Sequence, residues 1–191
     1  DLGSMLDKTE RLEALAMWLG ARLGISALEL DLLQRAGHLC KADLATEMVV
    51  EMTSLQGIMG MKYALLSGEP DAVAQAIFEH YLPRSADDML PTSQIGMTLA
   101  LADRLDSLAG LFAVGMEPTG TSDPYGLRRA AAGLVQILLD RGLSFSVREG
   151  LIEAARLMPV EDAAETVEAA LAFVVGRLQV MLRDEGFAHD V

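Results

Sequence analysis

Cysteine, histidine, aromatic side chains and positive charge are all scarce in this chain of 191 residues, and each shortage removes a class of function. The single cysteine, Cys40, can form no internal disulfide and no Cys-rich zinc site, which fits a reducing compartment and makes the cytoplasm the expected location. Three histidines, His38, His80 and His189, are too few for the converging ligands of a catalytic zinc or di-iron centre, so no metal site is expected. Aromatic residues make up only 5%, which leaves few stacking platforms for unpaired bases. Lys and Arg number 15 against 28 Asp and Glu, a net charge of -13 that disfavours DNA and anionic membranes as partners. Any phosphate contact has to be a local patch.

Long apolar runs and nucleotide loops are missing as well. The most apolar stretch, 95–116, is broken by Asp103, Arg104 and Asp106, so no membrane span is expected. There is no GxxxxGK[ST] and no GxGxxG. The first residues show no basic segment followed by an apolar run, so no signal peptide is expected, and Asp1-Leu2-Gly3-Ser4-Met5 is read as a cloning scar outside the fold. With 51% hydrophobic residues and six prolines, the chain can nonetheless bury a core.

What is there is helical periodicity, nearly end to end, with hardly any β-branched alternation; the fold class is all-α. Leu12, Leu15, Ala16, Leu19 and Leu23 stripe a first helix that Asp7 can cap, Glu10 completing a capping box and Gly24 ending it. Ser26 and Glu29 repeat that signature for a second helix through Leu39. Further helices are expected at about 43–51, at 55–67 with Gly57 and Gly60 inside it, and from Pro70 at the first helical position through His80. A turn-rich loop, 82–93, precedes a helix to about Val114. The longest loop, 115–126, is followed by helices at 127–140, 146–158 and 160–184, the last two broken at Pro159. Charge is uneven: 161–191 holds seven acids against two arginines, whereas 118–160 holds five arginines against four acids.

Each chemically suggestive residue has a plain reading beside the sharper one. His189 with Asp190 is a chance pair near the chain end, and His38 and Cys40, two positions apart on a helix, point to different faces. Glu79 and His80 could do acid-base work, or cap a helix end. Asp103 and Asp106 share one face of a very apolar helix, so they require buried partners, either as structural ion pairs or as the remnant of an active site. Arg128 and Arg129, after Asp123-Pro124, are either solvated or salt-bridged to Asp123, or they hold phosphate.

Four ordered motifs carry a resemblance. Lys41-Ala42-Asp43-Leu44-Ala45-Thr46-Glu47-Met48-Val49-Val50-Glu51 with Leu55-Gln56-Gly57-Ile58-Met59-Gly60, then His80-Tyr81-Leu82-Pro83-Arg84, then 101–108, then Pro118-Thr119-Gly120, Asp123-Pro124 and Leu127-Arg128-Arg129-Ala130, closely resemble the beta subunit family of bacterial heterotetrameric glycyl-tRNA synthetases. The resemblance covers most of the chain from Leu6 to about Gly142. It implies that the chain is a piece of a much longer subunit: 6–145 as an HD-like multi-helix bundle, and 146–191 as a helical extension linking to an anticodon-binding domain absent here. It implies tRNA(Gly) and the alpha subunit as partners, and it places ATP and magnesium at the alpha subunit, with no cofactor and no catalytic residue in this piece. In the HD superfamily a His-Asp doublet and a later aspartate hold metal. Here Cys40-Lys41 replaces the doublet while Asp103 occupies the later place, which implies a vestigial site of Cys40, Lys41 and Asp103. A lysine ammonium there repels a divalent metal, and Lys41 is expected to pair with Asp103.

The resemblance leaves a tRNA-contacting module as the leading expectation, with Arg84, Arg128, Arg129 and Arg141 as candidate phosphate contacts and backbone shape as what is read. The alternatives are a surviving metal-dependent phosphohydrolase of the HD type and a purely structural hub that touches no RNA.

Overall fold

Eight residues before the apolar stripe begins at Leu12, Ser4 accepts from the backbone N–H of Asp7 while the Asp7 carboxylate accepts from Ser4 N and Oγ at 2.6 Å. This reciprocal box starts α1 (Met5–Arg22), so the first helix begins at Ser4 with Asp7 and not at Asp7 with Glu10. The residues read as a scar take part: Leu2 packs against the core and its carbonyl accepts from Arg11 at 2.9 Å. The computed structural model describes residues 1–161 and 163–187; the His189–Asp190 pair lies outside them.

The second box forms as the sequence predicts, Ser26 and Glu29 opening α2 (Ala27–Leu39), and Gly24 takes the positive φ of +73° that ends α1. The expected helix at 43–51 is instead a 3-10 turn, Ala42–Ala45, and a short α3 (Glu47–Glu51), because the Thr46 hydroxyl caps Val49 and splits the segment. The expected helix at 55–67 is likewise shorter. Gly57, at φ +76°, precedes α4 (Ile58–Leu66) and does not lie within it. Only Gly60 is inside, facing Ile77 and the Asp43 carboxylate so closely that a Cβ would meet the Ile77 methyl at 2.7 Å. Pro70 is the residue before α5 (Asp71–Glu79), one position earlier than expected.

The long helix α6 (Gln94–Ala113) is the axis of the molecule, buried along most of its length. It packs against α1, α2 and α5 on one side and against α7 (Leu127–Asp140), α8 (Val147–Arg156) and α9 (Val167–Asp184) on the other. The last helix starts seven residues later than expected, after a 3-10 turn at Ala163–Thr166. The described residues therefore form nine α-helices around one hydrophobic core, with no strand among them, and the all-α class holds. No described helix is long and apolar enough to cross a membrane.

Candidate functional site

Asp103 and Asp106 lie one turn apart on the face of α6 turned toward α1 and α2. Both partners that such buried carboxylates require are present. Lys41, just after α2, places Nζ 2.8 Å from Asp103 Oδ2. Lys8 on α1 bridges the two acids, 3.0 Å from Asp103 Oδ1 and 2.6 Å from Asp106 Oδ2, and Arg11 one turn on donates through Nε to Asp106 Oδ1 at 2.7 Å. Burial works against the ionised form of Asp103, but the Lys41 and Lys8 ammonium groups outweigh it and hold the carboxyl well below its ordinary range. For Lys8 burial likewise opposes the charge, and Asp103 and Asp106 raise it overall.

His80, at the end of α5, completes the cluster. It is fully buried; Nδ1 lies 2.6 Å from the Ile77 carbonyl, which places the proton on Nδ1 and leaves Nε2 to accept from Lys41 Nζ at 2.8 Å. Burial first, and the Lys41 ammonium second, push the imidazole well below its ordinary value, so His80 is neutral at pH 7. The Tyr81 ring lies 3.9 Å from the imidazole centroid and 4.1 Å from Lys41 Nζ. One ammonium thus sits among a carboxylate, an imidazole nitrogen and an aromatic face. Three cations face two carboxylates in this cluster, an excess of positive charge in an acidic chain.

An open cleft of about 530 Å³ lies over the cluster, with His80, Tyr81 and Asp103 along its floor. Two of the four expected phosphate contacts, Arg84 and Arg129, line it. Arg84 pairs with Asp88 at 2.7 Å, which draws that carboxyl down to about 2, chiefly through the Arg84 side chain. Arg129 forms no ion pair among the described residues. The other two candidates do not reach the cleft. Arg128 donates to the carbonyls of Gly120 at 2.6 Å and Ser122, bracing the 115–126 loop, and Asp123 caps α7 by accepting from Leu127 N and Arg128 N in place of the expected salt bridge. Arg141 donates to the Pro91 carbonyl at 2.7 Å.

Behind the cleft, Arg104 on α6 is buried and donates to the carbonyls of His80, Leu82, Pro83 and Ala100 at 2.6 to 3.2 Å. Burial lowers its ordinary value to about 10, so it stays charged at pH 7. Glu79 is buried too, and its carboxylate accepts from backbone and hydroxyl groups of Thr92 and Ser93, which overcome burial and hold it ionised. Neither Glu79 nor His80 has a free position for acid-base work. Cys40 donates to the Gly37 carbonyl at 3.2 Å, and burial pushes its thiol up to about 12; it does not line the cleft. His38 is exposed, 3.3 Å from Glu13. Among the described residues no three His, Cys, Asp or Glu side chains are grouped to hold a metal ion.

Lys8, Arg11 and Tyr125 belong to this site and were not singled out in the sequence. A signal existed for the first two: a Lys and an Arg at i, i+3 on the helix that carries the first apolar stripe, answering the Asp103 and Asp106 pair at the same spacing.

The family described as glycyl-tRNA synthetase beta subunit matches residues 1–191. The chain belongs to the glycyl-tRNA synthetase beta subunit family. Among its relatives, the glycine-tRNA ligase beta subunit of Myxococcus xanthus is 48% identical over 94% of the chain, that of Chromohalobacter salexigens 45% over all of it, and that of Picosynechococcus sp. 43% over all of it. The chain spans about 27% of the length of each of these beta subunits.

Proposed function

We propose that this chain is the part of a glycine-tRNA ligase beta subunit that contacts the phosphate backbone of tRNA(Gly) through the cleft walled by Arg84 and Arg129. In the cytoplasm it works with an alpha subunit that supplies ATP-dependent glycine activation. The observation that carries the reading is local. A chain of net charge -13 gathers Arg84, Arg104 and Arg129 around one cleft and places a positively biased buried cluster beneath it. Screening over about 8 Å at physiological salt isolates such a patch from distant acids. This part has no catalytic centre of its own in this reading. If the resemblance to HD-type sites holds, Lys41 stands in the metal's place, and its Nζ within 2.8 Å of both His80 Nε2 and Asp103 Oδ2 supports a reading without HD-type phosphohydrolysis.

A structural role draws on a different observation: Arg128 and Arg141 hold backbone carbonyls of the fold. One titration separates the two roles. Labelled tRNA(Gly) is titrated with the chain at low and moderate salt, alongside R84Q/R129Q and R128Q. Contact at the cleft predicts weak, salt-sensitive binding that falls several-fold in R84Q/R129Q and little in R128Q. Equal affinity for R84Q/R129Q and the parent chain would remove the cleft from the reading and leave the structural hub.

A further inference from the structure

Resting on the reading above, we infer that the cleft takes one unpaired nucleotide of the RNA, its phosphate on Arg129 and its base stacked on Tyr125. The argument begins at the start of α7. Gly126 has φ +68° and directly precedes the helix, and the Arg129 guanidinium folds back onto it, so that a Cβ on Gly126 would meet Nη2 at 2.6 Å. Tyr125, the next residue back, is 53% exposed at the cleft wall. A planar cation and a free aromatic ring therefore flank one residue at the same wall, a pairing suited to a phosphate and a base one bond system apart.

The size and shape of the cleft agree. About 530 Å³ lies within the roughly 300 to 1,000 Å³ of sites that enclose a small ligand. It holds a nucleotide and is far too small for a helical duplex, whose stacked bases face inward and whose phosphates could meet only the rim. The wall opposite α7 carries Thr53, Ser54 and Gln56, exposed side chains with donors and acceptors for a base edge. The acids nearby do not oppose a phosphate: Asp103 is neutralised by Lys41 and Lys8, and Asp88 by Arg84. A chain with 5% aromatics still offers one platform where it matters.

The test measures binding of the 191-residue chain to a labelled single-stranded RNA hexamer and to a blunt RNA duplex of similar phosphate count, with Y125A, Y125F and R129Q. Tyr125 and Arg129 are exposed, and circular dichroism melts confirm that each variant folds. Y125A is expected to weaken single-strand binding by about 5- to 100-fold and duplex binding by less than about twofold, with Y125F restoring most of the loss. R129Q is expected to weaken both and to reduce the single-strand salt slope by about 0.7. Unchanged single-strand affinity in Y125A, or equal loss on both RNAs, would overturn the inference while the R129Q result still upholds the cleft contact. No binding of either RNA or of tRNA(Gly) by the folded chain would overturn that contact as well. Adenosine 5′-monophosphate alone binding as tightly as the hexamer would assign the cleft to a free nucleotide and overturn the RNA strand as occupant.

Discussion

At Lys41 a single buried ammonium is held by groups of three kinds, a partly buried carboxylate, a buried imidazole nitrogen and an aromatic ring at the cleft floor. Removing it leaves Asp103 and His80 without their shared donor. Lys41→Met is therefore expected to cost about 3 to 5 kcal/mol of unfolding free energy in urea denaturation, and adding Asp103→Leu to recover part of it. A neutral Lys41→Met would mean that the cluster carries no such coupling. His80 makes a second expectation, about pH. Its folded form resists protonation while the unfolded chain accepts a proton near 6.5, so the unfolded state binds more protons and stability falls as pH drops below about 6.5. Between pH 7.5 and 5.5 the loss is about 1 kcal/mol, and His80→Gln should abolish it. The carboxylates Asp103, Glu79 and Asp88 act lower, stabilising above their unfolded values near 4 and ceasing to do so as pH falls through their depressed folded values. That Asp103 needs a partner was legible in the sequence because charge on an apolar helix requires one, whereas Lys41 as that partner came from the resemblance alone. Lys8 and Arg11 matched the spacing of the two acids, but nothing local sets α1 against α6, since their contacts to Asp106 span 98 and 95 residues.

Helix starts show where local chemistry suffices and where it does not. Ser26 with Glu29 marks α2 because the box is complete within four residues. The start of α4 is different: its cap comes from Asp43, which accepts through Oδ2 from Gly57 N at 2.7 Å and Gly60 N at 3.1 Å across 14 and 17 residues. No short-range pattern contains that bond, and the apolar periodicity runs on through Gly57, so the sequence suggests one unbroken helix. Asp43→Ala strips both amides and is expected to destabilise the chain by about 1 to 2 kcal/mol, with hydrogen exchange accelerating first in α4. Exchange that stays uniform across the helices would contradict that cap. The 115–126 loop follows the same logic: its glycines and prolines announce a loop, while the bracing of its turn by Arg128 emerges only when the chain is folded.

At the scale of the whole molecule, composition reports the charge and the fold class but not where the few cations meet. Arg84 and Arg129 come from segments 45 residues apart and converge because α6 lies between them. What sets the gap between those segments is Arg104. Its guanidinium holds the carbonyls of His80, Leu82 and Pro83 on one side, while Gly133 of α7 rests against its Nε, close enough that a Cβ there would approach to 2.8 Å. A flat, rigid group serves as a shim between two walls. The spacing of the two walls at this point is then the breadth of one guanidinium, a dimension set by covalent bonds and not by the packing of flexible side chains.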